Sequence, residues 1–202
     1  MFTACAWVNE ECVSFAIVSD YMHHDKHMTI ISLVKILKVL LERFPTIGEI
    51  NLFSDGAAQH FKQRFFLNSV TLLPEFLEVH RDTLKIDYNF FATSHGKGAV
   101  DGVGGSVKRQ VLSEVMSKRV VIKTSVDYAA TAQKVCNKIN IIHIKKEAVE
   151  AEKIKQDEGC FNKSVRTLPG IRRYHHLAVT SANHVEARLY KGCSGSAVKH
   201  RF

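Results

Sequence analysis

The chain has 202 residues, 46% of them hydrophobic, and 28 Lys and Arg against 20 Asp and Glu give it a formal net charge of +8. This length fits one domain, or one domain with a small appendage, and the apolar content is ordinary for a globular core. The positive charge favours an anionic partner, with nucleic acid ahead of membrane. No apolar run approaches the roughly 20 residues of a membrane span, so we expect no membrane-spanning helix.

The five cysteines, at positions 5, 12, 136, 160 and 193, have no regular spacing and form no Cys-x-x-Cys pair. This pattern argues against a zinc knuckle and favours reduced intracellular thiols. The first residues lack the charged start and the cleavage site of a signal peptide, so we expect a nuclear or cytoplasmic location. They are typical of a strand in the middle of a sheet, and we expect a further strand upstream of them in the intact protein.

The first third of the chain predicts a hairpin followed by a helix. The β-rich runs Phe2–Val8 and Val13–Ser19 flank a short polar segment and favour an antiparallel pair. Apolar residues then recur at helical spacing from Thr29 to Phe44, and Pro45 ends the helix. The apolar stripe of this helix is expected to belong to the core.

Between the hairpin and this helix, His23, Asp25 and His27 admit two interpretations. The histidines are four residues apart, which would align them on one face of a helix, so a metal site is one alternative. A polar cap that leads into the helix is the favoured alternative, because no second cluster of ligands lies nearby in the sequence.

The next strand ends at Asp55 and Gly56, and a helix that reaches about Leu73 follows. An acid at the carboxyl end of a strand stands where open α/β sheets bind their ligands. An ordinary Asp-Gly turn is the alternative, since this dipeptide is frequent in turns. Lys62 and Arg64, just after the strand, are candidate nucleic-acid contacts.

The most informative stretch lies in the middle of the chain. The aromatic run Ile86–Thr93 predicts a buried strand, and glycines at positions 96, 98, 102, 104 and 105 follow before helical spacing resumes. Asp101 lies near the start of that helix, and three cations lie around it: Lys97, Lys108 and Arg109. Glycine at this density indicates backbone that a ligand approaches closely, and the nearby charges favour a phosphate backbone with its metal.

Two nucleotide-binding loops are excluded for this stretch. A P-loop needs Ser or Thr after Gly-Lys, where this chain has Gly98. The dinucleotide fingerprint Gly-x-Gly-x-x-Gly needs a third glycine where this chain has Asp101. A merely flexible loop over residues 94–105 remains as the alternative.

The second half of the chain is less specific. It predicts a loop over residues 74–83, a short strand or extended turn at 120–124, a helix at 127–138, a strand at 139–144 and a charged helix or linker at 145–158. Runs at 171–180 and 184–190 predict a second, basic hairpin that carries Arg172, Arg173 and Arg188. The expected organisation is therefore a core over residues 1–118, a connection over 119–165, a small hairpin region over 166–192 and a disordered tail over 193–202.

Two motifs carry a resemblance to known proteins. FSDGAAQHFKQRF at residues 53–65 and FFATSHGKGAVDGVGGSVKR at residues 90–109 resemble a group of transposon-derived animal proteins, as do Ser19-Asp20 and His24-Asp25-Lys26. The resemblance covers about residues 2–109. More loosely, the pair of motifs is similar to retroviral integrases and DDE transposases, in which a strand ending in Asp is followed by a glycine-containing loop and an acidic helix.

This resemblance implies a ribonuclease H-like α/β fold, with Phe2–Val8, Val13–Ser19, Ile50–Ser54 and Ile86–Thr93 in one mixed sheet. It also implies that Asp55 and Asp101 are catalytic acids that hold Mg²⁺ or Mn²⁺, since these hard cations prefer oxygen ligands. Lys97, Lys108, Arg109, Lys62 and Arg64 would then contact DNA. The implied chemistry is DNA strand cleavage and transfer, in which water or a 3′-hydroxyl attacks phosphorus.

The resemblance also implies a first acid on a strand upstream of Phe2. Asp20 does not easily replace it, because in the ribonuclease H order Asp20 ends a strand roughly 10–15 Å from Asp55. We therefore expect the chain as given to be catalytically incomplete. The alternatives are a DNA-binding remnant without chemistry and a nuclease on the same fold.

Overall fold

The computed structural model describes residues 1–57, 60–91, 98–159, 161, 164–193 and 195–202. Over these residues it has two mixed sheets and six α-helices, which agrees with the predicted α/β class. The chain divides into two compact units, one formed by Met1–His23 with Lys97–Ala151 and the other by His24–Gly96 with Glu152–Phe202.

The strands, in chain order, are β1 Phe2–Val8, β2 Glu11–Ser19, β3 Glu49–Ser54, β4 Lys85–Phe90, β5 Ile139–Ile144, β6 His176–Ser181, β7 His184–Arg188 and β8 Val198–Arg201. The α-helices are α1 Lys26–Arg43, α2 Arg64–Thr71, α3 Leu73–Leu77, α4 Ala99–Met116, α5 Ser125–Val135 and α6 Lys146–Glu158. Short 3₁₀ helices occupy Arg81–Thr83 and Ile171–Arg173. In the part of the chain that the structure describes, no helix combines the length and apolar character needed to cross a membrane.

The first unit contains a three-stranded sheet in the order β1-β2-β5. β1 and β2 form the predicted antiparallel hairpin, and the two residues between them, Asn9 and Glu10, have φ of 48° and 68°. Two successive residues with positive φ make the tight turn that matches the right-handed twist of the strands. β5 pairs parallel with β2, and the strand predicted at 139–144 is confirmed.

Helices α4 and α5 pack on this sheet. Val103, Val107 and Val111 recur every four residues and are the buried residues of α4, which is the spacing of one helical face. With residues of β2, β5 and α5 they form one apolar cluster: Ala16, Val18, Val103, Val107, Val111, Ala129, Ala132, Cys136 and Ile141. This cluster fixes the position of the acidic first turn of α4 on its sheet.

The second unit contains a five-stranded sheet in the order β3-β4-β6-β7-β8. β3 and β4 are parallel, and β6, β7 and β8 continue from β4 in antiparallel pairs. Ile86, Tyr88 and Phe90 of β4 are buried, and Phe66 of α2 contacts Tyr88 edge to face with ring centroids 5.6 Å apart. Helix α2 also packs on β6 and β7, and α1 packs on α2 and α3.

The expected single sheet is wrong, since β1 and β2 share a sheet with β5 whereas β3 and β4 share one with β6. The C-terminal hairpin also differs from the separate region that the sequence favoured. Its first strand pairs with β4, where Tyr88 stands opposite Leu177, because the second edge of β4 needs hydrogen-bond partners. The tail expected to be disordered contains β8, and Phe202 is buried.

The glycine-rich segment differs from the expected loop as well. Gly102, Gly104 and Gly105 lie inside α4, which begins at Ala99. Glycine adopts helical backbone at a cost of roughly 0.5–1 kcal/mol relative to alanine, and the buried valines of α4 outweigh that cost. A Cβ at Gly104 would lie 3.5 Å from the Met1 side chain, which is an ordinary contact, so the packing there does not require glycine. The predicted loop at 74–83 is also wrong, because most of α3 and a 3₁₀ turn lie within these residues.

Replacing Gly105 with alanine should raise the free energy of unfolding by about 0.5–1 kcal/mol, because alanine loses less backbone freedom in a helix. The added Cβ would lie 3.8 Å from the Arg109 side chain, which is an ordinary contact. Urea unfolding followed by circular dichroism measures the change. Gly192→Ala is the matched control: its φ of +79° strains alanine, so the same substitution should destabilise. A loss of stability in Gly105→Ala would contradict its helical placement.

Candidate functional site

Asp55 directly follows the last residue of β3, at the carboxyl end of the parallel pair β3–β4. Its side chain is exposed, and its Oδ1 accepts a hydrogen bond of 3.2 Å from the Ala57 N–H. A carboxylate that bonds the backbone two residues on stabilises a turn of the Asx kind. Asp55 is therefore oriented by its own backbone and faces solvent at the edge where α/β sheets bind ligands.

A chain of hydrogen bonds connects this turn to the buried residue Tyr88. The Tyr88 hydroxyl donates to Ser54 Oγ at 2.8 Å, and Ser54 Oγ donates to the Asp55 carbonyl oxygen at 2.8 Å. Burial raises the pKa of Tyr88 far above its ordinary value, so the hydroxyl keeps its proton. The backbone at Asp55 is thus tied to the core of the second unit.

Asp101 lies in the first turn of α4, where its exposed carboxylate accepts from the Gly98 N–H at 3.4 Å. A negative charge at this position is stabilised by the unsatisfied N–H groups of the helix start. This gives Asp101 a structural role that does not depend on a ligand.

Asp55 belongs to the second unit and Asp101 to the first. Each carboxylate offers the hard oxygen donors that Mg²⁺ and Mn²⁺ prefer, so the donor type fits the implied metal. Over residues 1–57, 60–91, 98–159, 161, 164–193 and 195–202, no group of three or more His, Cys, Asp or Glu side chains is close enough together to hold a metal ion.

The cations expected to bind DNA differ in their surroundings. Lys108 and Arg109 are exposed on α4, whereas Lys97 lies outside the described residues. Arg64 starts α2 with its guanidinium 4.6 Å from the Phe65 ring centre. Lys62 is only 8% exposed, and its Nζ donates to the Arg172 carbonyl at 3.1 Å. Burial lowers the pKa of Lys62, so its surroundings favour a structural role over the predicted DNA contact.

The stretch around Asp25 has the polar-cap geometry. Asp25 is the N-cap of α1, and its Oδ1 accepts from the Met28 N–H at 3.0 Å. His27 is buried, with Nδ1 3.0 Å from Gln156 Oε1 and Nε2 3.4 Å from Asp157 Oδ1. The alternative of a metal site formed with His23 has no support here, because Asp25 and His27 have other partners.

Asp20 has its own partner in the first unit. Its Oδ1 accepts from the Lys146 N–H, the first residue of α6, at 2.9 Å. An acid at the start of a helix satisfies one of the N–H groups left free there. This contact gives Asp20 a capping role.

A buried charge cluster on β4 and the C-terminal hairpin was not predicted. Asp87 is 2% exposed, and its Oδ2 lies 2.9 Å from Lys191 Nζ and 3.5 Å from His176 Nε2. Burial alone would raise the pKa of Asp87, but the Lys191 hydrogen bond and charge, with the charges of His176 and Lys85, outweigh it and lower that pKa. Neither ring nitrogen of His176 has hydrogen-bond geometry to a described residue. No local sequence signal joins residues so far apart.

Two exposed rings at the same edge as Asp55, Phe53 and Phe91, were also missed as candidate site residues. The alternation of side chains along β3 could have predicted that Phe53 is exposed. Ile50 and Leu52 point to the opposite face from Phe53, so an inward-facing Ile50 places Phe53 outward. The sequence motif had instead indicated Asp55 as the acid and Lys62 and Arg64 as nucleic-acid contacts.

Comparison with known proteins assigns the chain to a family over nearly its whole length. A family model described as a domain of unknown function, DUF8701, matches residues 1–191. The chain belongs to the DUF8701 family. No curated protein and no solved structure matches it. The family boundary includes β1 to β7 and Lys191, the residue that pairs with Asp87.

The stability of the chain should fall as the pH falls below about 6.5, the ordinary pKa of histidine. Burial lowers the pKa of His27, and the Gln156 hydrogen bond and the Asp157 charge oppose only part of that shift. The unfolded state therefore takes up the proton first, so stability is full above the unfolded pKa and is lost as pH falls towards the folded pKa. Burial lowers the pKa of His200 too, which adds in the same direction.

Urea unfolding of the chain and of His27→Gln at about pH 7.5 and about pH 5.5 measures this dependence. The variant should lose less stability between the two conditions than the natural chain does. His24→Gln is the control, since the His24 side chain is exposed. An equal loss in the natural chain and in His27→Gln would exclude His27 as a source of the dependence.

Proposed function

We propose that this DUF8701 chain is the ribonuclease H-like core of a transposase or integrase, which binds DNA and in its intact form cleaves and transfers DNA strands with a divalent metal. The observation that supports this most directly is the placement of Asp55. It is an exposed carboxylate at the carboxyl end of a parallel strand, held by the Ala57 N–H and by the core bond from Tyr88.

The order of elements supports the fold part of the proposal. The hairpin β1–β2 is followed by α1, by β3 with its terminal acid, by α2 and α3, by the parallel strand β4 and then by the acidic helix α4. This order of hairpin, helix, acid-ended strand, helix, strand and acidic helix resembles most of a ribonuclease H-like core.

Asp55 and Asp101, which belong to different units, would each offer oxygen ligands to a divalent metal. When bound, a divalent metal would activate the attacking oxygen and stabilise the charge that develops on the phosphate. Two carboxylates are fewer than a pair of such ions usually needs, and this is why activity is assigned to an intact form with a further acid.

The DNA part of the proposal rests on charge. The formal charge is +8, and Lys108 and Arg109 are adjacent and exposed on α4, about two turns after Asp101. Cations that neutralise phosphates release counterions, so the affinity falls as the salt concentration rises. Such contacts position DNA without reading its sequence.

Replacing Lys108 and Arg109 together with alanine should flatten the slope of log affinity against log salt by about 2 units at most, one for each lost phosphate contact. Fluorescence anisotropy with a labelled duplex, repeated over a salt series, measures this slope. The double variant Lys134→Ala with Lys138→Ala is the matched control, because it removes the same charge from exposed residues outside α4. An unchanged slope in the α4 variant would show that Lys108 and Arg109 do not contact phosphates and that DNA binds to another surface.

A second candidate function, a DNA-binding remnant without chemistry, is favoured by one contact. The Asp101 carboxylate accepts from the Gly98 N–H and stabilises the start of α4, which is sufficient reason for an acid at that position. The two functions share the DNA surface and differ in metal binding.

Manganese titration separates the two functions. We expect weak Mn²⁺ binding by residues 1–202, with paramagnetic broadening of amide signals near Asp55 and Asp101, and no DNA cleavage, because the carboxylates are too few. Asp55→Asn and Asp101→Asn should each remove the broadening at the changed site, while Asp82→Asn, an exposed acid of the 3₁₀ turn, should leave it. The absence of broadening at both sites would support the remnant, and robust Mn²⁺-dependent cleavage by this chain would refute the need for a further acid.

A further inference from the structure

Two aromatic rings form an exposed pair at the carboxyl ends of β3 and β4. Phe53 is 58% exposed and Phe91 is 41% exposed. Their rings are stacked, with centroids 5.6 Å apart and planes inclined by 29°. Single exposed apolar residues are common on protein surfaces, but two rings stacked on each other present an ordered aromatic face.

The surroundings of this pair are polar. Residues two apart on a strand share a face, so Asn51 lies on the same face of β3 as Phe53, about 7 Å away. Asn51 Oδ1 accepts from Lys191 Nζ at 2.6 Å, and Lys191 is half exposed. On β4, Asn89 stands opposite Phe53 in the strand register, but it is buried and its Nδ2 donates to the Leu52 carbonyl. The polar groups beside the rings are therefore the Asn51 amide and the Lys191 ammonium, which also pairs with Asp87.

The small area of the two rings and their polar neighbours indicate the kind of ligand that this surface would bind. A stable protein interface buries roughly 800 Å² on each partner around an apolar centre, and two rings with polar neighbours fall short of that. A nucleobase matches one ring in size, stacks on its face and leaves its edge for amide and ammonium groups. A chain with a formal charge of +8 also attracts nucleic acid.

We propose that Phe53 and Phe91 are a stacking platform for an unpaired nucleobase, so that DNA is bound at this edge as a single strand or with one nucleotide out of the duplex. The proposal rests on the proposed function for its choice of nucleic acid. It deepens that function, because Asp55 follows Phe53 by only two residues and belongs to the same strand end. A base held on the platform brings the backbone of its own nucleotide to the edge that carries the acid.

The platform is tested with one DNA sequence in two forms, a single strand and a duplex, each with a single 2-aminopurine. The natural chain should bind the single strand more tightly than the duplex and should quench the 2-aminopurine, because stacking quenches its fluorescence. Phe53→Leu and Phe91→Leu keep an apolar side chain and remove the ring, so each should weaken single-strand binding by roughly 5-fold or more. Phe53→Tyr, which keeps a ring, should bind as the natural chain does.

Trp7→Leu is the matched control, because Trp7 is an aromatic residue 66% exposed in the other unit and should leave the binding unchanged. Phe53→Leu and Phe91→Leu should also leave the salt dependence of duplex binding unchanged. Three results would overturn the platform alone: salt-dependent DNA binding that neither leucine variant weakens, an equal loss for single strand and duplex, or unquenched 2-aminopurine in the bound natural chain. Absence of any DNA binding would instead overturn the proposed function together with the platform.

Discussion

A buried charge constrains the assembly of the second sheet. Asp87 projects from β4 into a site that water barely reaches, and a carboxylate is tolerated there only when a cation pairs with it. Lys191 supplies that cation from the segment just after β7, and its Nζ also bonds Asn51 on β3. One ammonium thus connects the first parallel pair with the segment that follows the C-terminal hairpin. Lys85 of β4 lies 3.9 Å from the same carboxylate oxygen, so Lys191 is the closer of two cations that compensate Asp87. The antiparallel register of β4 with β6 and the Asp87–Lys191 pair depend on each other.

Strand alternation gives the two faces of this sheet different side chains. The face of β4 that carries Ile86, Tyr88 and Phe90 is buried, and Tyr88 contacts Phe66 of α2. The other face of β4 carries Asp87 and Asn89, which are also buried, and exposed rings lie only at its end, at Phe53 and Phe91. Neighbouring residues of a strand point to opposite sides, so the apolar core and the exposed rings lie on different faces. The hydrogen bond from Tyr88 to Ser54 connects the buried face with the strand end. Ser54 in turn bonds the carbonyl of Asp55, so a core residue stabilises the turn that contains this acid.

Local patterns were sufficient to predict most elements, and tertiary pairing was not. The hairpin, α1, β3, β4 and β5 follow from period, turn residues and Pro45, all of which act within a few residues. The glycine-rich segment was predicted as loop because glycine favours loops, yet Val103, Val107 and Val111 carry the helix through it. Contacts between residues distant in sequence determine the separation into two sheets, the strand β8 and the Asp87–Lys191 pair. The spacing of hydrophobic residues along the chain does not predict such contacts. For the site, the positions of Asp55 and Asp101 at a strand end and a helix start were predictable, whereas the burial of Lys62 was not.

The surroundings of the carboxylates distinguish structural acids from acids available to a ligand. Asp87 is buried and pairs with the half-exposed Lys191, which compensates most of the field that this carboxylate would present to a metal or a phosphate. Asp55 and Asp101 are exposed and accept from backbone N–H groups, which satisfy one oxygen each but do not cancel a full negative charge. Within the described part of the chain, no Lys or Arg forms an ion pair with either of them, so both retain the field that would attract a divalent cation. Asparagine could replace Asp55 in its turn, because it forms the same kind of bond to the backbone, whereas at Asp101 the negative charge itself stabilises the helix start. Under the proposed function, the charge of both residues is also the property through which they would attract a divalent metal.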